Sequence, residues 1–208
     1  MTDLLAPVHR RVLAVAVLLA LAACRSGGAA EPRTTVPTAA STTTTTAVSY
    51  DVPAVIDVPY IEKVMAALDH VDGEAARRAA TQRKLDPEFF KYYSSIYTDR
   101  YFKLVQRAWL QIAGDKFKLL VASPGDPETT VERVIRADSQ CIFFQAKRDY
   151  ASQLLGPEGS QAPRYVALVP LPPERNLGGT NPTPWIMSLD GRNVDGSEPK
   201  PEDECRVR

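Results

Sequence analysis

The run Thr130-Val131-Glu132-Arg133-Val134-Ile135-Arg136, the pair Asp138-Ser139 and the run Cys141-Ile142-Phe143-Phe144-Gln145-Ala146-Lys147-Arg148 decide how this chain folds. The first run is rich in β-branched residues and partly alternates apolar with polar, as half-buried strands do. The Asp-Ser pair is a tight-turn signal, and the second run is apolar enough to be a covered strand. Together they predict an antiparallel hairpin. Downstream, Tyr165-Val166-Ala167-Leu168-Val169 and Trp185-Ile186-Met187-Ser188-Leu189 have the same character and predict a third and a fourth strand, the fourth closed by a turn at Asp190-Gly191. Lys116 to Val121 reads either as a further short strand or as a helical extension.

Upstream of the hairpin the period changes from two to 3.6. Asp57 is placed to cap a helix whose apolar residues Ile61, Val64, Met65, Leu68 and Val71 follow helical spacing. Asp72-Gly73 predicts a break and a fresh cap, with Glu74 to Lys84, rich in Ala and Arg, forming the next helix. Asp86-Pro87 supplies a cap followed by proline at the first helical position. From there Phe89, Phe90 and Tyr93 lead, past a possible interruption at Thr98-Asp99, to the stripe Tyr101, Leu104, Val105, Ala108, Trp109 and Ile112, ending at Gly114. Helices first and antiparallel strands afterwards is an α+β pattern, in which the helical layer must bury its stripe on one face of the sheet.

This order of elements resembles the cone-shaped domain of the NTF2-like superfamily, in which a long helix lies across a curved antiparallel sheet. The resemblance runs from the helix at Pro87–Ala113 through the strands at Thr130–Leu189 and is one of element order, with no diagnostic motif. It implies a sheet of about four strands with N-terminal helices packed on it and a pocket between helix and sheet.

The chain of 208 residues begins with the basic cluster His9-Arg10-Arg11, an apolar run from Val12 to Ala20, and Leu21-Ala22-Ala23-Cys24. A charged start, an apolar segment and small residues before a cut define a secretory signal. The four residues ending at Cys24 resemble the lipobox of bacterial lipoproteins, and the Ala, Arg, Pro and Thr bias looks like that of high-GC Gram-positive bacteria. The resemblance implies a signal peptide at 1–23, a diacylglyceryl thioether on Cys24, and a mature chain held by the bilayer on the extracytoplasmic face of the cell membrane. The apolar run is about half of the roughly 20 residues that a membrane-spanning helix needs. Cleavage by a general signal peptidase without lipidation is the competing reading, because Ala20-Leu21-Ala22 also offers small residues.

Residues 24–50 turn to Ser, Gly, Ala, Pro and Thr, ending in Ser41-Thr42-Thr43-Thr44-Thr45-Thr46, a composition that cannot offset the entropy of ordering and reads as a disordered tether, bare or O-glycosylated. Residues 51–208 are the length of one domain and are expected to end in an irregular C-terminal tail. With 25 basic and 25 acidic residues the formal charge is zero, so no basic surplus argues for a nucleic-acid partner. With Cys24 assigned to lipid, Cys141 and Cys205 are left as a pair in an oxidising compartment, where a disulfide is the expected state and a buried Cys141 with a free Cys205 the alternative.

The inventory for catalysis is thin. His70 is the one histidine beyond the signal, there is no phosphate-binding glycine loop, and Ser94, Ser95 and Ser139 lack the setting of a nucleophile elbow, so no catalytic residue, metal ligand or cofactor is assigned. Aromatic residues crowd the segment from Phe89 to Trp109. The residues expected to line a pocket or an interface are Tyr93, Tyr97, Asp99, Tyr101, Trp109, Arg148 and Trp185, the last at the end of the Pro-rich loop Pro170–Pro184. The expectation is a lipid-anchored, non-catalytic binding or assembly module of the cell envelope, with an envelope protein as its partner. A carrier for a small apolar ligand and an NTF2-like enzyme using Asp99 as acid or base are the alternatives.

Overall fold

The computed structural model describes residues 50–155, 163–176, 178–191 and 197–206, all of them within one compact unit. The expected signal peptide, the Cys24 lipobox, the tether up to residue 49 and a turn at Gly196 lie outside the described residues. The architecture is α+β. Three helices, α1 (Val58–Gln82), α2 (Pro87–Ile96) and α3 (Asp99–Gly114), precede four strands, β1 (Glu128–Asp138), β2 (Cys141–Asp149), β3 (Pro163–Pro170) and β4 (Trp185–Gly191), and a short C-terminal helix α4 (Pro201–Glu204) follows. The sheet is an antiparallel meander in the order β1-β2-β3-β4. Among the described residues no helix is long and apolar enough to cross a membrane.

Local chemistry sets the helix starts. The Asp57 carboxylate accepts from the Tyr60 N–H at 3.0 Å, and that of Asp86 accepts from the Phe89 N–H at 2.9 Å, each with a proline in the first turn. Such caps are worth about 1 kcal/mol at an ordinary site. The expected break at Asp72-Gly73 does not occur, and α1 runs through it to Arg83, whose left-handed backbone (φ 51°) ends the helix. Gly73 serves close approach: a Cβ there would stand 1.9 Å from Asp126 Oδ1 on the loop before β1. His70 is therefore mid-helix, exposed, with Nδ1 2.9 Å from Asp126 Oδ2. The long helix lying on the sheet is α1, whereas the Pro87–Ala113 segment is two helices. Their junction at Tyr97-Thr98 bridges to β4, the Thr98 N–H donating to the Met187 carbonyl at 2.9 Å.

The helix-facing core joins Ile61, Val64, Met65 and Leu68 of α1 and Phe89, Tyr93 and Ile96 of α2 to Ile142, Phe144 and Ala146 of β2, Val166 and Leu168 of β3, and Trp185 and Met187 of β4. The opposite face carries a smaller cluster of Cys141, Phe143, Tyr165, Ala167 and Leu189, on which the C-terminal segment packs. Cys205 is joined there to Cys141 as a disulfide, and the Ser188 hydroxyl donates to the Glu204 carbonyl at 2.7 Å. Among the described residues of the tail, 197–200 carry no regular structure, and the segment from Pro201 to Cys205 is fixed to the sheet by these two links.

Lys116 to Val121 forms a turn with two left-handed residues, Lys116 and Phe117, and a single bridge from Leu120 to Leu154. Two register shifts in β1 and one in β4 mark bulges, which bend and twist a strand. In β4 the pairing passes from Leu168↔Met187 to Ala167↔Leu189, leaving Ser188 as the extra residue. Strict alternation from Trp185 and Met187 would send Leu189 toward the helices and Asp190 away from them. The bulge reverses this, so Leu189 joins the far face and Asp190 turns under the helices. Asp190 and Gly191 accordingly belong to the strand and form no turn.

Candidate functional site

The alternation that places Ile142, Phe144 and Ala146 on the helix side of β2 also places Arg148 there, fully buried. A guanidinium out of water needs partners on every side, because its desolvation is worth several kcal/mol. It has them: Nη2 donates to Asp69 Oδ1, Nη1 to Asp190 Oδ2, and Nε to Thr129 Oγ1 at 3.1 Å, while Asp72 Oδ2 stands 3.6 Å away. The three carboxylates are themselves about 3 % exposed. Asp69 and Asp72 come from the buried stripe of α1 and Asp190 from the bulged strand. A second cation, Arg164 of β3, puts Nη1 3.6 Å from Asp190 Oδ1, and both guanidinium groups lie against the Tyr150 ring at 4.9 and 5.1 Å.

Hydroxyl groups complete this cluster. Tyr93 donates to Asp72 Oδ1 at 2.7 Å, Tyr97 to Asp72 Oδ2 at 3.4 Å, Tyr150 to Asp190 Oδ2 at 2.9 Å, and Tyr101 to the Asp190 carbonyl. Burial disfavours charge on the carboxylates. It pushes Asp69 up to about 6 against the opposing pull of Arg148, and raises Asp72 in the same way. Burial works to lower the Arg148 pKa, but Asp190 and Asp69 outweigh it and hold the guanidinium protonated. Burial keeps the phenols of Tyr93, Tyr97, Tyr101 and Tyr150 protonated as donors, with the nearby carboxylates Asp72 and Asp190 acting in the same direction.

Above this polar floor lies a cleft of about 250 Å³. Its far wall is the apolar stripe of α3, with Leu104, Val105, Ala108, Trp109 and Ile112, and its near wall is made by Tyr93, Tyr97, Tyr101, Tyr150 and Leu154. The cleft exists because α3 does not lie flush on the sheet. Trp109 is the one buried residue of α3, wedged against Phe89 and Tyr93 with ring centroids 5.0 and 5.8 Å away, while Leu104 is 52 % exposed. The tyrosines form a continuous series, Tyr93 stacked on Tyr97 at 5.7 Å and Tyr97 against Tyr101 at 5.2 Å.

Of the residues expected at a site, Tyr93, Tyr97, Tyr101 and Trp109 line the cleft, and Arg148 holds its floor from behind. Asp99 is elsewhere, 79 % exposed at the start of α3 and paired with Arg175, whose guanidinium also donates to the Ser94 and Tyr97 carbonyls. Trp185 is buried beneath α1, its indole N–H donating to the Tyr60 hydroxyl at 2.8 Å. The loop before it is pinned by Asn181, whose amide donates to the Ser95 and Trp185 carbonyls. Asp69 was not singled out in the sequence, and Asp72 and Asp190 were read there as turn or cap residues rather than as site residues. Asp69 and Asp72 carry a readable signal, since they continue the helical stripe Met65, Leu68, Asp69, Asp72, Ala76 in which only apolar residues were expected. The chain matches no protein-family model, no curated protein and no solved structure.

Proposed function

We propose that the protein is an exported lipoprotein, held on the outer face of the cell membrane by acylated Cys24, whose domain is a non-catalytic binding or assembly module acting through the cleft beneath α3. The observation that carries the binding reading is an apolar, aromatic-walled cleft closed at its floor by buried polar groups, the usual make-up of a ligand site. The lipobox and the Ser/Thr tether support the anchoring, as does the Cys141–Cys205 disulfide, a bond at home in an oxidising compartment. Helices over a four-stranded meander support the NTF2-like resemblance at the level of element order.

Binding is favoured over catalysis by how the acids are held. Both oxygens of Asp72 already accept tyrosine hydroxyls, Asp69 is locked to Arg148, and Asp190 sits between two guanidinium groups. Asp99, the acid expected of an enzyme, lies outside the cleft.

The test is mass spectrometry of the protein crosslinked on intact cells and extracted in detergent. The expected result is a diacylglyceryl mass on the Cys24 peptide, absent in Cys24→Ser, together with a partner or retained small molecule lost in Ala108→Trp, which fills the cleft mouth. An unmodified Cys24 peptide overturns the anchor, and captured species indifferent to Ala108→Trp overturn the cleft as the working site.

A further inference from the structure

Two buried side-chain nitrogen or oxygen atoms among the described residues make no hydrogen bond, and both belong to residues lining the cleft: Asp190 Oδ1 and Gln153 Nε2. Asp190 is 4 % exposed and Gln153 2 %. A buried acceptor left without a donor bears its desolvation uncompensated, the more so when it is charged. Gln153 lies beside Asp72, close enough to favour the ionised carboxyl, so its amide is partly served. Asp190 Oδ1 has no donor within hydrogen-bond range, since Arg164 Nη1, whose side chain also lines the cleft, is ion-paired with it at 3.6 Å. The cluster is also uneven in charge, since three carboxylates, Asp69, Asp72 and Asp190, face two guanidinium groups, Arg148 and Arg164. Once Asp69 and Asp72, both raised by burial, have ionised, one negative charge is in excess at a site walled by tyrosine and tryptophan rings, whose faces attract cations.

We infer that the cleft takes a small organic cation, an amine with an apolar body, its ammonium donating to Asp190 Oδ1 beside the rings of Tyr97 and Tyr101 and its body lying along Leu104, Ala108 and Trp109. This rests on the reading of the cleft as the binding site and supplies the chemistry of its ligand. The ammonium furnishes both things the floor lacks, a donor for Asp190 Oδ1 and a compensating positive charge. An anion of the same shape would meet the excess carboxylate, and a neutral analogue would satisfy the acceptor without balancing the charge.

Three probes with one body decide it: phenylpropylamine, phenylpropanol and phenylpropionate, each titrated calorimetrically into the detergent-solubilised full-length protein near neutral pH and low salt. The amine is expected to bind roughly tenfold or more tightly than the alcohol, with the propionate weakest. Ala108→Trp should remove binding of all three. In Asp190→Asn the preference for amine over alcohol should fall to near unity, the alcohol itself reporting that the cleft survives the substitution. Should Asp190→Asn lose the alcohol too, the cleft has collapsed, and the ranking in the unsubstituted protein decides the matter. An amine that binds no better than the alcohol overturns the cation assignment while leaving the cleft as a site, provided Ala108→Trp blocks both. Absence of binding by every probe, or binding indifferent to Ala108→Trp, overturns the cation assignment and the cleft reading together.

Discussion

Replacing Arg148 with Met keeps much of its volume and removes the charge that three buried carboxylates share. Removing one partner of a buried ion pair costs about 3–5 kcal/mol, and Arg148 has two bonded carboxylates and a third at 3.6 Å, so the upper part of that range applies near pH 8. The cost should depend on pH, with a defined sign. The carboxyl of Asp69 is raised to about 6 in the folded protein, so the stability tied to its protonated form is complete below the unfolded value near 4 and is lost as pH rises through about 6. That loss amounts to about 3 kcal/mol in the unsubstituted protein. Without Arg148 the opposing pull on Asp69 and Asp72 disappears, both pKa values rise further, and the window of loss extends upward. Arg148→Met should therefore cost about 4–5 kcal/mol near pH 8 and less than half of that near pH 5, where protons take the place of the guanidinium. Urea unfolding followed by the fluorescence of Trp109 and Trp185, at constant ionic strength, measures both values. A cost below about 1 kcal/mol near pH 8, or the same cost at both pH values, would refute the claim that this cluster is held by charge in a dry interior.

Two further expectations concern the edges of the fold. Changing Cys141 and Cys205 together to Ser opens a loop of 64 residues, and the chain-entropy model gives a loss of about 4 kcal/mol, measurable as a lower midpoint in urea; an unchanged midpoint would mean that the tail and α4 hold to the sheet unaided. Asp86 is pulled down to about 2 by its hydrogen bond with Arg78 and by the Phe89 N–H, so its contribution is present above the unfolded value near 4 and is lost as pH falls toward 2. Asp86→Ala should flatten the acid limb of the stability profile, and an acid limb of undiminished slope in this variant would assign it to other carboxylates.

Much of the framework was legible because it is written locally. Asp57 and Asp86-Pro87 start helices through contacts that reach only three residues ahead, and the β1–β2 hairpin follows from alternation and a short turn. The reading of Asp72-Gly73 as a helix break failed because the same pair that marks a turn in isolation is used here for two tertiary purposes. Asp72 answers Tyr93 and Arg148, and Gly73 makes room for Asp126. The stripe of α3 was correct as a pattern and incomplete as an inference. A helical stripe requires cover, and at Leu104 and Val105 the cover is an open cleft rather than the sheet.

By itself the sequence determined the α+β order, the helix starts at Asp57 and Asp86-Pro87 and the antiparallel strands, because each depends on period and on neighbours a few residues away. The tertiary structure alone decided what Arg148 meets. Asp69 and Asp72 lie 79 and 76 residues before it and Asp190 lies 42 after it, with Asp190 aimed inward only because Ser188 bulges out of register. A desolvated charge selects its partners by proximity in three dimensions, and a one-residue slip in a strand reverses which face a side chain takes, so neither fact is carried by any local stretch of the chain.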